Sequence, residues 1–318
     1  MRYYDEKVEA SRNFANKIWN ATRFVLMNQK EELPEELSAQ ELTAADRWIL
    51  SKVNTLAKEV TESLDKYDLG IAADALEHFF WEEFCDWYIE MVKARLYKEP
   101  CADRTAAMWT LVTVLANALK LLHPYMPFIT EELYSYIRPQ EETIMYATWP
   151  KYREDWSFPQ ETEEVEAMKE AIRGIRNIRT QMNVPPKQKS QVIFVSEDAA
   201  TRRIFENGAE FLAPLAFASE VKVQNDMAGI SETAVSIPLH LATAFIPLEQ
   251  LVDLEKEKSR LQKEWDRLAK EIERTAKKLE NSGFVSKAPQ AVVEEERKKK
   301  AKYEAMQQQV EEQLRRLG

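Results

Sequence analysis

Side chains suited to recognition chemistry collect in two stretches of this chain. Near its start, Asn13, Asn16, Lys17 and Asn20 recur at short helical steps, and Phe24 lies among them. On a helix they occupy the side opposite Phe14, Ile18 and Val25, whose spacing marks a core face, with Ala15, Trp19, Thr22 and Leu26 along one flank. An aromatic ring framed by carboxamides and an ammonium group suits a flat base, which stacks on the ring while Asn and Lys bond its polar edge. The alternative is structural: Phe24 packs against the segment around Leu33 and Pro34, or against a later domain.

The second stretch is cationic. From Leu248 onward the chain carries 17 Lys+Arg and 15 Asp+Glu, which leaves a charge of −12 on residues 1–247 and −10 on the whole. If this last part folds as a hairpin closing near Gly283, Lys270, Arg274, Lys277 and Lys278 come level with Arg297, Lys298, Lys299, Lys300 and Lys302. Such a cluster attracts phosphates through charge neutralisation and counterion release, while the acidic remainder repels a polyanion elsewhere. A solvated face paired with neighbouring glutamates is the plainer reading. A third, weaker candidate is Arg173 with Arg176, turned outward from Ile172, Ile175, Ile178 and Met182 with Arg179 at the boundary. These arginines either reach phosphates or cap the region against Glu163 and Glu164.

Catalytic and metal-binding patterns are not evident. The three histidines, His78, His123 and His240, are scattered and read as structural. Glu82-Glu83 and Glu131-Glu132 are adjacent only in sequence, and neighbouring positions on a helix do not face one another. Cys85 and Cys101 lack zinc-type spacing and read as inert packing residues, so no metal and no catalytic residue is expected.

Three kinds of element must hold these groups. Over residues 1–150, apolar residues recur at steps of three and four between short polar joints, which predicts a helix bundle. Its helices are expected over roughly Asp5–Asn28, from the N-cap Thr43 with Asp46 at the third helical position, after Asp68 as a core helix through Met91, over Ala102–Leu122, and from Phe128. Residues 151–247 read as a small α/β module: a helix from Glu161 to Met182, strands at Gln191–Val195, Val221–Gln224 and Ala234–Ile237, and a helical stretch over Ala199–Leu212. In residues 248–318, Leu251, Leu254, Lys258, Leu261, Trp265, Leu268, Ile272, Thr275 and Leu279 form a heptad seam. Asn281-Ser282-Gly283 supplies a stop, and Tyr303, Met306, Val310, Leu314 and Leu317 resume the pattern, so an antiparallel hairpin is expected, roughly 40 Å long.

The expected class is therefore mainly α, with a small α/β module and a coiled-coil arm. Only 6 Gly, 31% charged residues and a mean hydropathy of −0.50 agree with helices. No run of about 18 uninterrupted apolar residues and no signal-like start is found, so a soluble cytoplasmic protein without a membrane partner is expected.

Three strings in order resemble the class I aminoacyl-tRNA synthetases of the valine, isoleucine and leucine group: Ser11-Arg12-Asn13-Phe14-Ala15-Asn16-Lys17-Ile18-Trp19-Asn20-Ala21, Glu83-Phe84-Cys85-Asp86-Trp87-Tyr88, and His123-Pro124-Tyr125-Met126-Pro127-Phe128-Ile129-Thr130-Glu131-Glu132-Leu133. The arm, with Gly283-Phe284-Val285-Ser286-Lys287-Ala288-Pro289 at its turn, resembles the C-terminal coiled coil of the bacterial valine enzymes. The resemblance implies an anticodon-binding bundle, a linking module and an arm that lies on the tRNA elbow.

It further implies that Phe24 beside Arg23 stacks in the anticodon, with Asn16, Lys17 and Asn20 as base-edge contacts. In the arm, Arg274 and Lys299 match the basic tRNA-contacting positions. Lys at 299 replaces an Arg and loses the planar fork. Arg297 and Lys278 lie beside them. The resemblance also implies partners: valine tRNA, not DNA, and the catalytic and editing domains. The HIGH and KMSKS motifs that bind ATP are absent here, so ATP and Mg are expected only in the full-length enzyme, and this chain alone is expected to be inactive. The rival expectation is a helical scaffold without RNA binding, whose exposed seam pairs with a second copy.

Overall fold

The computed structural model describes residues 5–30, 32–251, 254–280 and 290–316. Helix α1 (Asp5–Asn28) opens on Asp5 and Glu6, whose charge suits a helix N-terminus, and buries Phe14, Ile18, Ala21 and Val25. Helix α2 (Ala44–Asp65) begins with a reciprocal capping box. The Asp46 amide bonds the Thr43 hydroxyl oxygen, and the Asp46 carboxylate takes the Thr43 amide.

The third helix, α3, runs as Leu69–His78, widens to π geometry over Phe79–Tyr88, and continues as Ile89–Leu96. Phe80, Phe84 and Tyr88 follow one another along it, with centroids 5.5 and 6.4 Å apart, the first pair tilted and the second stacked. Its expected apolar stripe does not reach its start, because Leu69 and Ile71 are 55% and 63% exposed. Helix α4 (Ala102–Leu122) is packed on every side, and α5 (Pro127–Ile137) returns along it. A window of α4 reaches a mean hydropathy of 1.5, enough by length and composition to cross a membrane, yet 83% of that window is buried. The bundle core takes up its apolar surface.

Helix α6 (Pro159–Gln181) packs along α2 and carries the chain into a four-stranded sheet. Strands β1 (Ser190–Val195), β2 (Ala218–Gln224), β3 (Val235–Pro238) and β4 (Thr243–Ile246) lie in the order β2-β1-β4-β3. Strand β1 pairs with β2 in parallel and with β4 antiparallel, and β3 with β4 antiparallel. Parallel pairing requires a crossover, and α7 (Ala199–Asn207) and α8 (Ala209–Leu215) supply it. Phe205 stacks on Phe194 of β1 at 4.3 Å, which seats the crossover on the sheet. Strand β4 escapes the sequence expectation. It has only four residues and Ala244 dilutes its apolar run, yet Ala244, Phe245 and Ile246 are all buried. Gly174 permits the close approach of α6 to β3, since a Cβ there would lie 2.9 Å from Ile237 Cγ2.

A short helix, α9 (Leu248–Leu251), precedes α10 (Leu254–Glu280) and α11 (Gln290–Arg316). The last two are each other's principal neighbours. Lys278 near the end of α10 meets Glu296 near the start of α11 at 3.5 Å, so the two run antiparallel. Leu268, Thr275 and Val293 are buried in their seam. Leu251, expected as the first seam residue, instead packs into the core of the body. The expected stop at Asn281-Ser282-Gly283 lies outside the described residues. So do Leu317 and the side chains of Leu254, Lys258, Leu261 and Leu314.

Candidate nucleic-acid interface

Helix α1 presents Asn13, Asn16, Asn20 and Arg23 to solvent. Among the described residues none of these four has a side-chain hydrogen bond or ion pair, so their donors and acceptors are open to a ligand. Lys17 and Phe24 sit differently from the sequence expectation. Both are half-buried on the border of the core face rather than opposite it. The reason is α3, which leans across that side. Lys17 Nζ reaches Asp86 Oδ1 at 2.7 Å and lies 4.9 Å from the Trp81 ring. Lys93 lies 5.9 Å from the Phe24 ring, and Asn28 Nδ2 donates to the Phe24 carbonyl oxygen at 2.8 Å. The ring therefore packs partly on the core and already has a cation near it.

A second aromatic was missed as a surface group. Trp19, expected on a flank, is 46% exposed between Asn16 and Arg23, and Met27 on the same outer side is 67% exposed. Its spacing of three from Asn16 and four from Arg23 is the signal that places it among them.

In the arm, Arg274 and Arg297 are exposed and lie near Glu271 and Glu294, at 4.0 and 3.5 Å. Lys299 bonds Glu295 at 3.0 Å and lies 3.6 Å from Glu296, which Lys278 also approaches. The hydrogen bond it donates to Glu295 holds the Lys299 ammonium pKa above its ordinary value. Exposed pairs of this kind are weak, so phosphates can displace the glutamates at little cost. Lys270, Lys298 and Lys302 are exposed beside them without an ion pair among the described residues.

Helix α6 gives its arginines structural work. The Arg173 guanidinium lies 5.2 Å from the Trp87 ring of α3, and Arg176 Nε donates to the Leu215 carbonyl oxygen at 2.8 Å. Arg179 is 3% exposed and donates to Ser190 Oγ and to the Pro185 and Gln188 carbonyl oxygens. Among the described residues none of the three pairs with Glu163 or Glu164. Arg173 and Arg176 stay on the surface, already engaged.

Two buried charge clusters tie α3 to α6 and to α2. Lys169, 1% exposed, donates to Glu83 at 2.6 Å and Glu166 at 3.0 Å, and lies 4.7 and 5.5 Å from the Trp48 and Trp87 rings. Asp46 and Arg95 form the other. Glu131 and Glu132 accept from different partners, Thr143 and Tyr136, whereas Glu82 and Glu83 both lie near exposed His78, at 3.5 and 4.0 Å, with Glu83 also bonded to Lys169. His123 Nδ1 meets the Thr130 hydroxyl at 2.7 Å. Cys85 is buried, but Cys101 is exposed rather than a packing residue.

A family model described as the anticodon-binding domain of tRNA ligase matches residues 46–194, and another described as the valyl tRNA synthetase tRNA binding arm matches residues 253–318. The chain is 48% identical to a valine–tRNA ligase of Clostridium perfringens, an alignment that covers all of this chain and 36% of that protein. Identity to the Clostridium acetobutylicum ligase is 46% with the same coverage. For a Bacillus cereus ligase it is 41%, over 95% of this chain and 34% of the relative. The chain thus spans 36% of the length of the two clostridial relatives and corresponds to their C-terminal part. Its two matched regions, in this order on this fold, show that the chain belongs to the valyl-tRNA synthetase family, of which it comprises the anticodon-binding domain and the tRNA-binding arm.

Proposed function

We propose that the chain binds valine-accepting tRNA at two separated places. The outer side of α1, with Asn16, Asn20, Arg23 and the exposed part of Phe24, takes the anticodon loop, and Lys17 steadies α1 against α3 through Asp86. The exposed cations Arg274, Lys278, Arg297 and Lys299 take backbone phosphates at the elbow. Held at both points, the tRNA presents its acceptor end to the catalytic part that the longer relatives carry, where ATP-dependent aminoacylation takes place. No step of that chemistry is assigned to residues of this chain. Arg173 and Arg176 contribute through position, by fixing α6 against α3 and the crossover helix α8.

The observation that carries this reading is the charge distribution: a chain of net charge −10 exposes Arg274, Arg297 and Lys299 together near the closing end of its arm. A salt-titrated binding measurement tests it, with valine tRNA and with the same tRNA altered in its anticodon. Affinity should fall steeply with salt for both and be weaker for the altered tRNA at every salt concentration. Binding that ignores salt and anticodon alike would overturn it.

A further inference from the structure

One end of the bundle exposes large apolar side chains that the RNA reading leaves unused. Tyr67 is 86% exposed and Phe128 91%, and Leu69 and Ile71 are exposed beside Tyr67. Tyr125 Oη donates to the Leu69 carbonyl oxygen at 2.8 Å, so the joint between α2 and α3 lies against the joint between α4 and α5. The joint that carries Tyr67, Leu69 and Ile71 is therefore a neighbour of the joint that leads into Phe128.

Tyr67 sits there against its backbone preference. Its φ is +61°, in the left-handed region, at a helix C-terminus where the Tyr67 amide bonds the Leu64 carbonyl and the Asp68 amide bonds that of Ser63. Glycine or asparagine ordinarily takes such a position. Tyrosine is strained in that conformation, and here it places an aromatic ring in water.

The start of α1 reaches this same end. Phe14 meets Phe80 and Trp81 at 6.1 and 6.5 Å, and Lys17 meets Asp86, so α1 and α3 run in the same direction. Counting back along both helices at about 1.5 Å per residue brings the first turn of α1 level with the region of Ile71 and Asp74. Val8 in that turn is 48% exposed. In the relatives, everything outside the matched 36% precedes this point.

We propose that the patch of Tyr67, Leu69, Ile71, Phe128 and Val8 is the seat of the preceding, catalytic part of the ligase, which covers it with an apolar surface of its own. Phe24 lies about 24 Å further along α1 than Val8 at the standard helical rise, so a single helix connects the covered end with the anticodon-binding side. A clustered exposed apolar patch marks such an interface, whereas scattered residues would not.

Hydroxyl-radical footprinting tests this without RNA, on the 318-residue chain alone and on the whole ligase containing it. Labelling of Tyr67 and Phe128 should fall severalfold in the whole ligase, while Tyr146 and Met227, exposed elsewhere, should react equally in both. Tyr67→Gly, which relieves the strained backbone, should leave the melting temperature of the chain alone unchanged or raised, yet lower that of the whole ligase. Equal labelling of Tyr67 and Phe128 in the two polypeptides would overturn the proposal. So would labelling that falls in the chain alone as its concentration rises, because a second copy would then be the occupant. Neither outcome bears on tRNA affinity, so this proposal and the RNA reading fail separately.

Discussion

Asp46 and Arg95, 49 positions apart, meet as a two-point ion pair, with Nη1 to Oδ1 at 2.8 Å and Nη2 to Oδ2 at 2.9 Å. Tyr88 Oη donates to Oδ1 at 2.6 Å, and the Thr43 amide and hydroxyl donate to Oδ2. One carboxylate therefore caps α2, closes a ring to α3 and holds the arginine that Asp103 grips from α4 at 2.7 Å. Burial opposes the charge on Arg95, but its bonds to Asp46 keep its pKa above the ordinary value, and burial beside Asp46 drives the Tyr88 phenol well up. Asp46→Ala strands a buried guanidinium and removes the cap, so it should cost about 3–5 kcal/mol in urea unfolding. Arg95→Met should cost a similar amount, and the double variant less than the sum of the two.

Glu166 predicts an acid limb of stability. Burial works against its charge, yet the hydrogen bond from Lys52 and the nearby Lys169 hold its pKa below the ordinary 4.5. A group depressed in the folded state stabilises it fully above its unfolded pKa, and this contribution disappears as the pH falls through the folded value. Stability should therefore decline as the pH drops below about 4.5, and Glu166→Gln should flatten that limb in unfolding curves recorded at a series of pH values.

The two thiols should react very differently. Burial pushes the Cys85 thiol up to about 12, whereas Cys101 is exposed ahead of α4. Alkylation of the native chain near pH 8 should modify Cys101 alone, and Cys85 should follow only on unfolding, as intact-mass measurement would show.

The RNA contacts should separate by kind. Phe24→Ala should cost about 1–3 kcal/mol of tRNA affinity if a base stacks on the ring, with the loss confined to RNAs that carry the anticodon loop. Arg274→Glu and Lys299→Glu should weaken every tRNA alike and lower the salt slope, by about 1 for each phosphate no longer neutralised. Equal losses from Phe24→Ala on RNAs with and without the anticodon loop would contradict the stacking role.

The hairpin should fail by itself. Leu268 is 2% exposed between α10 and α11, and these helices pack principally on each other. Leu268→Asp buries a charge in that seam and should remove hairpin helicity from the far-ultraviolet spectrum while leaving thermal unfolding of the bundle in place.

What the chain determined locally was legible from the residues. Helix positions follow from apolar spacing, the start of α2 from Thr43 and Asp46, and the arm from its heptads, because each rests on neighbours within one or two turns. The proposed RNA-facing side of α1 was partly legible in the same way: the amides at 13, 16 and 20 are exposed where the helical period puts them. Other outcomes depended on contacts distant in sequence. Asp86, Trp81 and Lys93 of α3 draw Lys17 and Phe24 to the edge of the core, while Trp19, an equally apolar neighbour, stays half in water. Strand β4 exists because β1 and β3 pair with both of its edges, and Leu251 leaves the seam because it packs into the core of the body. Periodicity specifies which residues share a face, but only packing decides what lies against that face, since side-chain burial is a property of the neighbour as much as of the residue.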